Sequence, residues 1–268
     1  MAVYADLHAH TTNSDGELTL ETLPAAAAEA GVSVVAVTDH DRPHPGLTAP
    51  VESHGDVDVV HGIELRVDAG DQRVDLLGYG VTRTDALVEE CERLQRDRVE
   101  RGAAIVNRVE KRLGVDLGLQ IRDGIGRPHV ARAVVDHPDT DYDEIGAVFD
   151  DLIGDDGPCF VARDVPDFET GVDILADACG LVGLAHPLRY GDPESALALC
   201  ADLDAVERFY PYDRPVGADA DDHATALVDD AIERFDLLAT GGSDAHDDEL
   251  GKAGLSEAEF ERVQARLG

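Results

Sequence analysis

The sequence predicts an α/β fold of the barrel type, and three observations support that prediction. Short β-branched apolar runs alternate with helical patterns along most of the chain. Histidine and carboxylate side chains directly follow several of these runs, where strands are expected to end. With 268 residues and 43% hydrophobic side chains, the chain can bury one large core. Because the carboxyl ends of parallel strands meet at one edge of a sheet, these polar side chains are expected to converge.

Each predicted element has its own local signal. Apolar β-branched runs indicate strands over residues 2–5, 32–37, 56–63, 73–79, 181–185, 203–209 and 237–241. Helix formers and helical spacing of apolar side chains indicate helices over residues 19–30, 84–113, 141–153, 170–179, 194–201, 223–234 and 256–267, and a further helix opens at residue 126. Thr19 is the expected cap of the first helix. We predict a single domain, residues 1–268, with a mostly helical insertion, or cap, over residues 84–168.

Candidate metal ligands lie at or near the ends of the predicted strands. In a strand, alternate side chains point the same way, so His8 and His10 are expected to bind one ion together. The full set is His8, His10, Asp15, His40, Glu64, Asp75, His186, Asp244 and His246. Imidazole and carboxylate donors without thiolates favour zinc, manganese or iron. These donors exceed the needs of one ion, and Glu64 could bridge two, so we predict a cluster of two or three divalent metals.

Such a cluster points to the hydrolysis of phosphate esters. The ions would activate a bound water as the nucleophile and neutralise the oxygens of the phosphate group. No side-chain nucleophile is expected, because Ser243 has no base at a suitable spacing. The sequence also contains neither a Walker P-loop nor a dinucleotide-binding glycine motif.

Charge is the unusual feature of the composition. The chain has 57 acidic residues against 22 Lys and Arg, for a formal net charge of −35. The acids are dispersed, which is typical of a halophilic protein whose surface repulsion is screened within roughly 3 Å at about 1 M salt. This charge disfavours stable binding to duplex nucleic acid. We predict a cytoplasmic protein without a membrane partner, since no apolar run reaches the roughly 18 to 20 residues of a membrane span.

The motifs that carry these ligands resemble those of the polymerase and histidinol phosphatase (PHP) family of metal-dependent phosphoesterases. They are DLHAH at residues 6–10, TDHD at 38–41, GIE at 62–64 and SDAH at 243–246, with AHP at 185–187 as a weaker fifth motif. The Arg-rich helix, GRPH at 126–129 and GGSD at 241–244 further resemble the branch that includes RNase AM and the nucleoside 3′,5′-bisphosphate phosphatases.

The resemblance implies a distorted (β/α)7 barrel with a trinuclear centre. It assigns one ion to His8, His10, Glu64 and Asp244, a second to Glu64, His186 and the position of Asp75, and a third to Asp15, His40 and His246. It also implies a phosphatase or exonuclease in which a metal-bound hydroxide attacks phosphorus. The expected substrates are nucleoside 3′,5′-bisphosphates or the 5′ ends of short single-stranded oligonucleotides.

Some positions depart from that branch or extend its site. Asp75 stands where the branch usually has a histidine, so the second metal site is expected to be weakened or changed in preference. Arg214 stands after the strand at 203–209, where the branch often has a substrate-binding histidine. Arg127 and His129 open a helix and are expected to clamp a second phosphate. The remaining arginines of residues 84–113 indicate either ion pairs along a solvated helix or a positive lip near the substrate.

Other functions stay open on the residues alone. A histidinol-phosphatase-like enzyme or another small-molecule phosphatase would use the same ligands. An amidohydrolase-like C–N hydrolase usually adds a lysine at a strand end, and neither Lys111 nor Lys252 lies at one. A non-catalytic metal-binding module would explain Asp75 as a sign of a degraded site. The histidines that lack strand-end company are expected to be structural or exposed: His44, His54, His61, His137 and His223.

Overall fold

The computed structural model describes residues 2–122, 124–212 and 221–267, and it describes the backbone alone at residues 221–224. These residues form two compact units. One unit comprises Met1–Val88 and Pro166–Gly268, and the other comprises Glu89–Val165. The second unit lies within residues 84–168, the stretch that the sequence predicts as an insertion.

The first unit is built on one sheet. Its described strands are β1 (Ala5–Ala9), β2 (Val34–Val37), β3 (Val51–His54), β4 (Val57–Asp68), β5 (Arg73–Tyr79), β6 (Leu181–Leu184), β7 (Ala205–Phe209) and β8 (Leu238–Gly241). Their order is β1-β2-β4-β5-β6-β7-β8, and β3 pairs with β4 outside this path. A parallel bridge between Ala9 and Ala245 joins the segment after β8 to the end of β1, so the sheet curls round towards its own first strand.

The helices follow the strands in the order that the sequence predicts. They are α1 (Leu23–Ala30), α2 (Asp85–Leu113), α3 (Arg127–Val135), α4 (Ile145–Val148), α5 (Phe168–Ala178), α6 (Pro193–Ala198), α7 (Asp221–Phe235) and α8 (Glu257–Gln264). A π-helical turn, Phe149–Ile153, continues α4. Among the described residues, no helix has both the length and the apolar composition needed to cross a bilayer.

The prediction of an α/β fold is confirmed, whereas the (β/α)7 arrangement stays a prediction. The pairs β1-β2, β2-β4, β6-β7 and β7-β8 are parallel. Helices join three of these pairs, whereas a loop and the strand β3 join β2 to β4. However, β5 runs antiparallel to both β4 and β6, because a tight hairpin links β4 to β5. The short strand β3 was not predicted, since its sequence has only one apolar residue, Val51.

Two strand boundaries differ from the prediction in a way that matters for the site. Strand β1 begins at Ala5 and extends to Ala9, so His8 lies within the strand and is fixed by its ladder. Strand β4 continues past the predicted end at residue 63 to Asp68. Glu64 therefore projects from the interior of a paired strand, where its backbone is rigid.

The first helix begins at Leu23 instead of residue 19, because Thr19 and Thr22 exchange hydrogen bonds in a preceding turn.

Apolar burial holds each unit together. In the first unit, one cluster joins the sheet to α8 through Leu7, Tyr79 and Phe260, all at most 4% exposed. A second cluster packs α1 on the sheet through Leu23 and Val35. The second unit has its own cluster, formed by α2, α3 and the segment 145–153. Each fully buried Leu, Val or Phe stabilises the fold by about 1.5–3 kcal/mol.

One glycine brings the last strand of the sheet against the first. A Cβ atom at Gly242 would overlap the backbone nitrogen and the Cβ of His8, so only glycine fits there. The Gly242 N–H donates to the carbonyl of Phe209 at 3.0 Å, which fixes the chain just past β8. The close approach places Asp244 beside His8.

His61 is a buried histidine without a hydrogen-bond partner. It lies in β4, is 1% exposed, and neither ring nitrogen has a partner among the described residues. Burial and the positive charges of Arg83 and His44 lower the pKa of His61 to about 4. The native protein therefore holds His61 neutral, as expected for a structural histidine.

A histidine of this kind makes stability fall as the solution is acidified. Between pH 6.5, the usual unfolded pKa, and pH 4, the unfolded chain binds a proton that folded His61 does not. Folding is thus disfavoured by on the order of 3 kcal/mol at pH 4 relative to pH 7. We expect His61→Leu to remove this contribution. In urea unfolding with a chelator present, the free energy of unfolding of the variant should rise relative to that of wild type as the pH falls.

The partly exposed His54, 25% exposed, provides the matched control. If His61→Leu and His54→Leu show the same pH dependence as wild type, burial of a neutral imidazole at His61 is not the cause.

Candidate metal centre

The structure brings the nine predicted ligand side chains together at one edge of the sheet. They form three overlapping groups, and in each group the ligand atoms lie within 4.8 Å of one another. The first group is His8, His10, Glu64 and Asp244; the second is His10, Asp15, His40 and His246; the third is Glu64, Asp75 and His186. The convergence follows from the topology, because these residues lie in or just after six strands of one curled sheet.

The first group is almost completely buried. His8 Nε2 lies 3.4 Å from Asp244 Oδ1 and 3.6 Å from Glu64 Oε1. His10 Nε2 lies 3.0 Å from the same oxygen of Asp244 and 3.4 Å from Glu64 Oε2. His8 Nε2 is buried and has no hydrogen-bond partner within the part of the chain that the structure describes. Donor atoms lie 3.0 to 3.6 Å apart here, and His8 Nε2 forms no hydrogen bond with the described residues. This is the arrangement expected of ligands around a shared cation.

The second group opens to solvent. Asp15 lies between two imidazoles, with its oxygens 3.7 Å from His40 Nε2 and 3.6 Å from His246 Nε2. The side chains of Asp15 and His246 are 36% and 42% exposed. The ring centroids of His10 and His246 are 4.2 Å apart, so this group is continuous with the buried one. A substrate can therefore reach the centre from this side.

Glu64 is the charge around which the imidazoles gather. Its carboxylate lies 2.8 Å from His40 Nδ1 and 2.9 Å from His186 Nε2, in addition to its contacts with His8 and His10. Burial alone would raise the pKa of Glu64, but the charges of His40 and His8 and the hydrogen bond with His186 hold it well below its usual value. Glu64 is thus an anion that needs positive charge nearby.

The histidines respond in opposite directions. Burial opposes the charged form of His40, but Glu64 and Asp15 outweigh it and raise the pKa of His40 to about 9. Burial and the neighbouring charge of His40 lower the pKa of His10 to about 4. Neutral imidazole is the form that binds metals, so His10 is already in its ligating state.

Three further buried acids orient the ligands. Glu207 lies 3.0 Å from His8 Nδ1 and accepts a hydrogen bond of 2.7 Å from the backbone N–H of His186. Asp6 accepts from the Ser243 backbone at 2.8 Å, and Asp39 accepts from Thr11 N at 2.7 Å. These bonds tie the loops that carry Asp244 and Asp15 to the strands. The sequence does not predict the role of Glu207, whose only signal is an acid inside an apolar strand.

The backbone is strained at two ligands. His186 has φ of 27° and Asp244 has φ of 50°, in a region that residues other than glycine rarely adopt. Such strain costs on the order of 1–3 kcal/mol per residue and is typical of functional sites. Both residues follow strand ends, and the turn directs their side chains back to Glu64.

Arginine and tyrosine side chains surround the centre on the cavity side. The cavity holds about 320 Å³ and is lined by Arg66, Arg73, Arg189 and Tyr190 together with six of the candidate ligands. Arg189 donates to Asp244 Oδ2 at 3.0 Å and to the hydroxyl of Tyr210 at 2.7 Å. The Tyr210 hydroxyl in turn donates to Asp244 at 2.8 Å. None of these residues stands in a motif, so the sequence does not predict a role for them.

The residues predicted to contact the substrate are Arg127, His129 and Arg214. Arg127 and His129 lie in the second unit, where Arg127 donates to Asp155 at 2.7 Å and its guanidinium faces the ring of Phe149. His129 Nδ1 accepts from the backbone N–H of Gly126 at 3.2 Å, at the start of α3. Arg214 lies outside the described residues.

The three ligand groups differ in how well they suit divalent ions. The first two offer imidazole nitrogens and carboxylate oxygens, and the first contains His8 Nε2, which has no hydrogen-bond partner among the described residues. These donor sets suit zinc, manganese or iron. The third group fits poorly, because both carboxylate oxygens of Asp75 accept hydrogen bonds from Arg66.

Comparison with known proteins extends these observations. A sequence model of the PHP domain matches residues 6–202. The phosphoribosyl 1,2-cyclic phosphate 1,2-diphosphodiesterase of Eggerthella lenta is 33% identical over 90% of this chain and 93% of its own. The 5′-3′ exoribonuclease Rnm of Salmonella typhimurium is 29% identical, covering 70% of this chain and 67% of its own. A 3′,5′-nucleoside bisphosphate phosphatase of Chromobacterium violaceum is 30% identical, covering 69% and 67%.

A solved structure shows the same fold. The crystal structure of a protein from Bifidobacterium adolescentis, described as a metal-dependent phosphoesterase, superposes with a TM-score of 0.77. It covers 99% of this chain and 97% of its own, at 23% sequence identity.

Neutralising the carboxylate behind His8 tests whether the first group binds metal. We expect Glu207→Gln to lower the affinity for Mn²⁺ by about 10–100-fold, because it loses the carboxylate that orients His8 and His186. Competition with a chromogenic chelator measures this affinity. Glu249→Gln, on the exposed side of the nearby loop, should leave it unchanged. Equal affinities in both variants would contradict the assignment.

Proposed function

The chain belongs to the PHP domain family, and from this premise we propose that it is a metal-dependent phosphoesterase acting on small ribose compounds that carry two phosphate groups. One observation carries the proposal: members of two overlapping histidine–carboxylate groups, which share His10, line one cavity together with three arginines. Metal-ligating and phosphate-binding side chains thus face the same space. The relatives named above all act on phosphate esters by name, which agrees with this chemistry.

The proposed ions supply the reactive charge. Manganese, zinc or iron at the first two groups would neutralise phosphate oxygens and activate water for attack on phosphorus. His8, His10, Glu64 and Asp244 would hold one ion, and Asp15, His40 and His246 would complete the site of another. The exposed edge of this second site, at Asp15 and His246, gives the scissile phosphate its path to the centre.

The residues of this chain would do the remaining work by binding and orienting. Arg189 has the best geometry for the scissile phosphate, since Tyr210 and Asp244 fix its guanidinium at the cavity wall. Arg73 also lines the cavity and would contact a second phosphate. Arg127, His129 and Arg214 remain proposed contacts to the second phosphate on the basis of the family resemblance.

The size and charge of the protein restrict the substrate. A cavity of about 320 Å³ suits a mononucleotide or a single phosphorylated sugar. A net charge of −35 repels polyanions, so we propose that the enzyme works in concentrated salt on small or single-stranded substrates. Nucleoside 3′,5′-bisphosphates and 5′ ends of short oligonucleotides are the leading candidates.

A second candidate follows from a separate observation. The cyclic phosphodiesterase of Eggerthella lenta matches over 93% of its length, whereas the exoribonuclease and the bisphosphate phosphatase match over 67% of theirs. A five-carbon sugar with a 1,2-cyclic phosphate and a 5-phosphate also presents two phosphate groups at a similar separation. It belongs in any test of this enzyme.

A substrate panel decides between these candidates. We expect the Mn²⁺-loaded protein in molar salt to release phosphate from 3′-phosphoadenosine 5′-phosphate faster than from p-nitrophenyl phosphate or histidinol phosphate. Phosphoribosyl 1,2-cyclic phosphate and short 5′-phosphorylated RNA complete the panel. Asp244→Ala should abolish turnover. Equal turnover by this variant would refute the metal mechanism, and preference for histidinol phosphate would refute the substrate class.

A change at the cavity wall separates binding from chemistry. We expect Arg189→Met to raise KM by about 10-fold or more, because a charged hydrogen-bond donor to phosphate contributes about 1.5–3 kcal/mol. The value of kcat should change less, since the ligands stay in place. Arg208→Met is the matched control, because Arg208 is paired with Asp229 and does not line this cavity. An unchanged KM in Arg189→Met would remove Arg189 from the phosphate site.

A further inference from the structure

Arg66 and Asp75 form the tightest ion pair at the centre. Arg66 Nε donates to Asp75 Oδ1 at 2.6 Å, and its terminal nitrogen Nη2 donates to Asp75 Oδ2, so both carboxylate oxygens are engaged. The Asp75 side chain is 2% exposed, and that of Arg66 is 37% exposed. A bidentate pair of this kind is among the strongest polar contacts in proteins.

The sheet itself fixes the pair. Arg66 in β4 and Asp75 in β5 are direct partners in the antiparallel register, on either side of a short hairpin turn. The Ala69 N–H donates to the Gln72 carbonyl at 2.9 Å and closes that turn. Side chains of directly opposed residues lie on the same face of a sheet. Backbone pairing thus places the two side chains beside each other.

The pair changes what the third ligand group can hold. With Asp75 engaged by Arg66, only Glu64 and His186 remain, and His186 Nε2 is 2.9 Å from Glu64 but 3.7 Å from Asp75. Two protein donors are too few for a divalent ion, which needs three or more protein ligands. The guanidinium meanwhile places a positive charge beside the carboxylates of this group.

We propose that Arg66 takes the place of a metal ion at the group of Glu64, Asp75 and His186, so that the centre holds two ions instead of three. Nε and Nη2 of Arg66 bind Asp75, and Arg66 lines the cavity, so the remaining N–H groups of its fork would be available to a phosphate. Arg66 would thus provide both the charge and the phosphate donors that an ion would otherwise supply. Unlike an ion, it cannot be lost to a chelator.

This inference rests on the proposed metal-dependent centre but is independent of the substrate. The test counts ions. Each protein is saturated with Mn²⁺, passed through a desalting column and analysed by plasma mass spectrometry, with electron paramagnetic resonance to count bound Mn²⁺. We expect about two ions per chain in wild type and about three in Arg66→Met, because Asp75 then becomes available as a ligand.

Arg73→Met is the matched control, because Arg73 lines the same cavity but does not engage Asp75 in the bidentate pair. It should keep about two ions, as in wild type. Three ions in wild type, or two in Arg66→Met, would overturn the proposal. If Arg66→Met fails to fold by circular dichroism, Arg66→Gln provides the same count with a neutral side chain. Three ions together with intact hydrolysis would reject the inference alone, whereas no bound ion and no hydrolysis would reject the proposed function.

Discussion

A buried carboxylate that must be balanced by positive charge is the constraint on which the rest of this structure depends. Glu64 is 1% exposed and lies in the middle of a paired strand, so it can neither move to solvent nor change its direction. An isolated charge in that position would cost several kcal/mol. His8, His10, His40 and His186 surround it, but these imidazoles repel one another when all are protonated, and His10 is already held neutral. Cations that are not part of the chain satisfy both demands, since they neutralise Glu64 and use imidazoles as neutral ligands.

The same constraint explains why acids lie behind the ligands as well as among them. Glu207, Asp6 and Asp39 are all fully buried and accept hydrogen bonds from ligand side chains, from backbone N–H groups or from the hydroxyls of the ligand-bearing loops. Asp6 accepts hydrogen bonds from the backbone N–H and the hydroxyl of Ser243 and so holds the turn at Asp244, where φ is positive, in a conformation that it would not adopt unaided. Buried acids that orient ligands therefore contribute rigidity, while Gly242 permits the close approach of the last strand region to His8. The precision of the centre comes from these contacts, which join residues distant in the sequence.

This division also explains what the sequence could and could not predict. The clustering of the candidate ligands was predictable because nearly all of them stand at or just after an apolar run, and position relative to a strand end is a local property. The alternation of strands and helices was predictable for the same reason. Glu207 and Arg189 act through contacts with residues more than fifty positions away, and no local pattern records such contacts. Strand β5 was predicted from its own sequence, but its antiparallel pairing with β6 depends on a segment over a hundred residues later. The proximity of Arg66 to Asp75 was predictable, because the hairpin register alone places the two residues opposite each other.

The arginines at the centre bear on how such an acidic protein handles an anionic substrate. With 57 acidic residues, the surface as a whole repels phosphates, and salt must screen that repulsion before a substrate can approach. Screening weakens exposed ion pairs most and buried ones least. The pair of Arg66 with buried Asp75 and the contact of Arg189 with buried Asp244 would keep their geometry in concentrated salt, where exposed lysines would not hold a phosphate. The Arg66 guanidinium that we propose in place of an exchangeable ion has a similar advantage. It is part of the chain, so its presence does not depend on the composition of the solution.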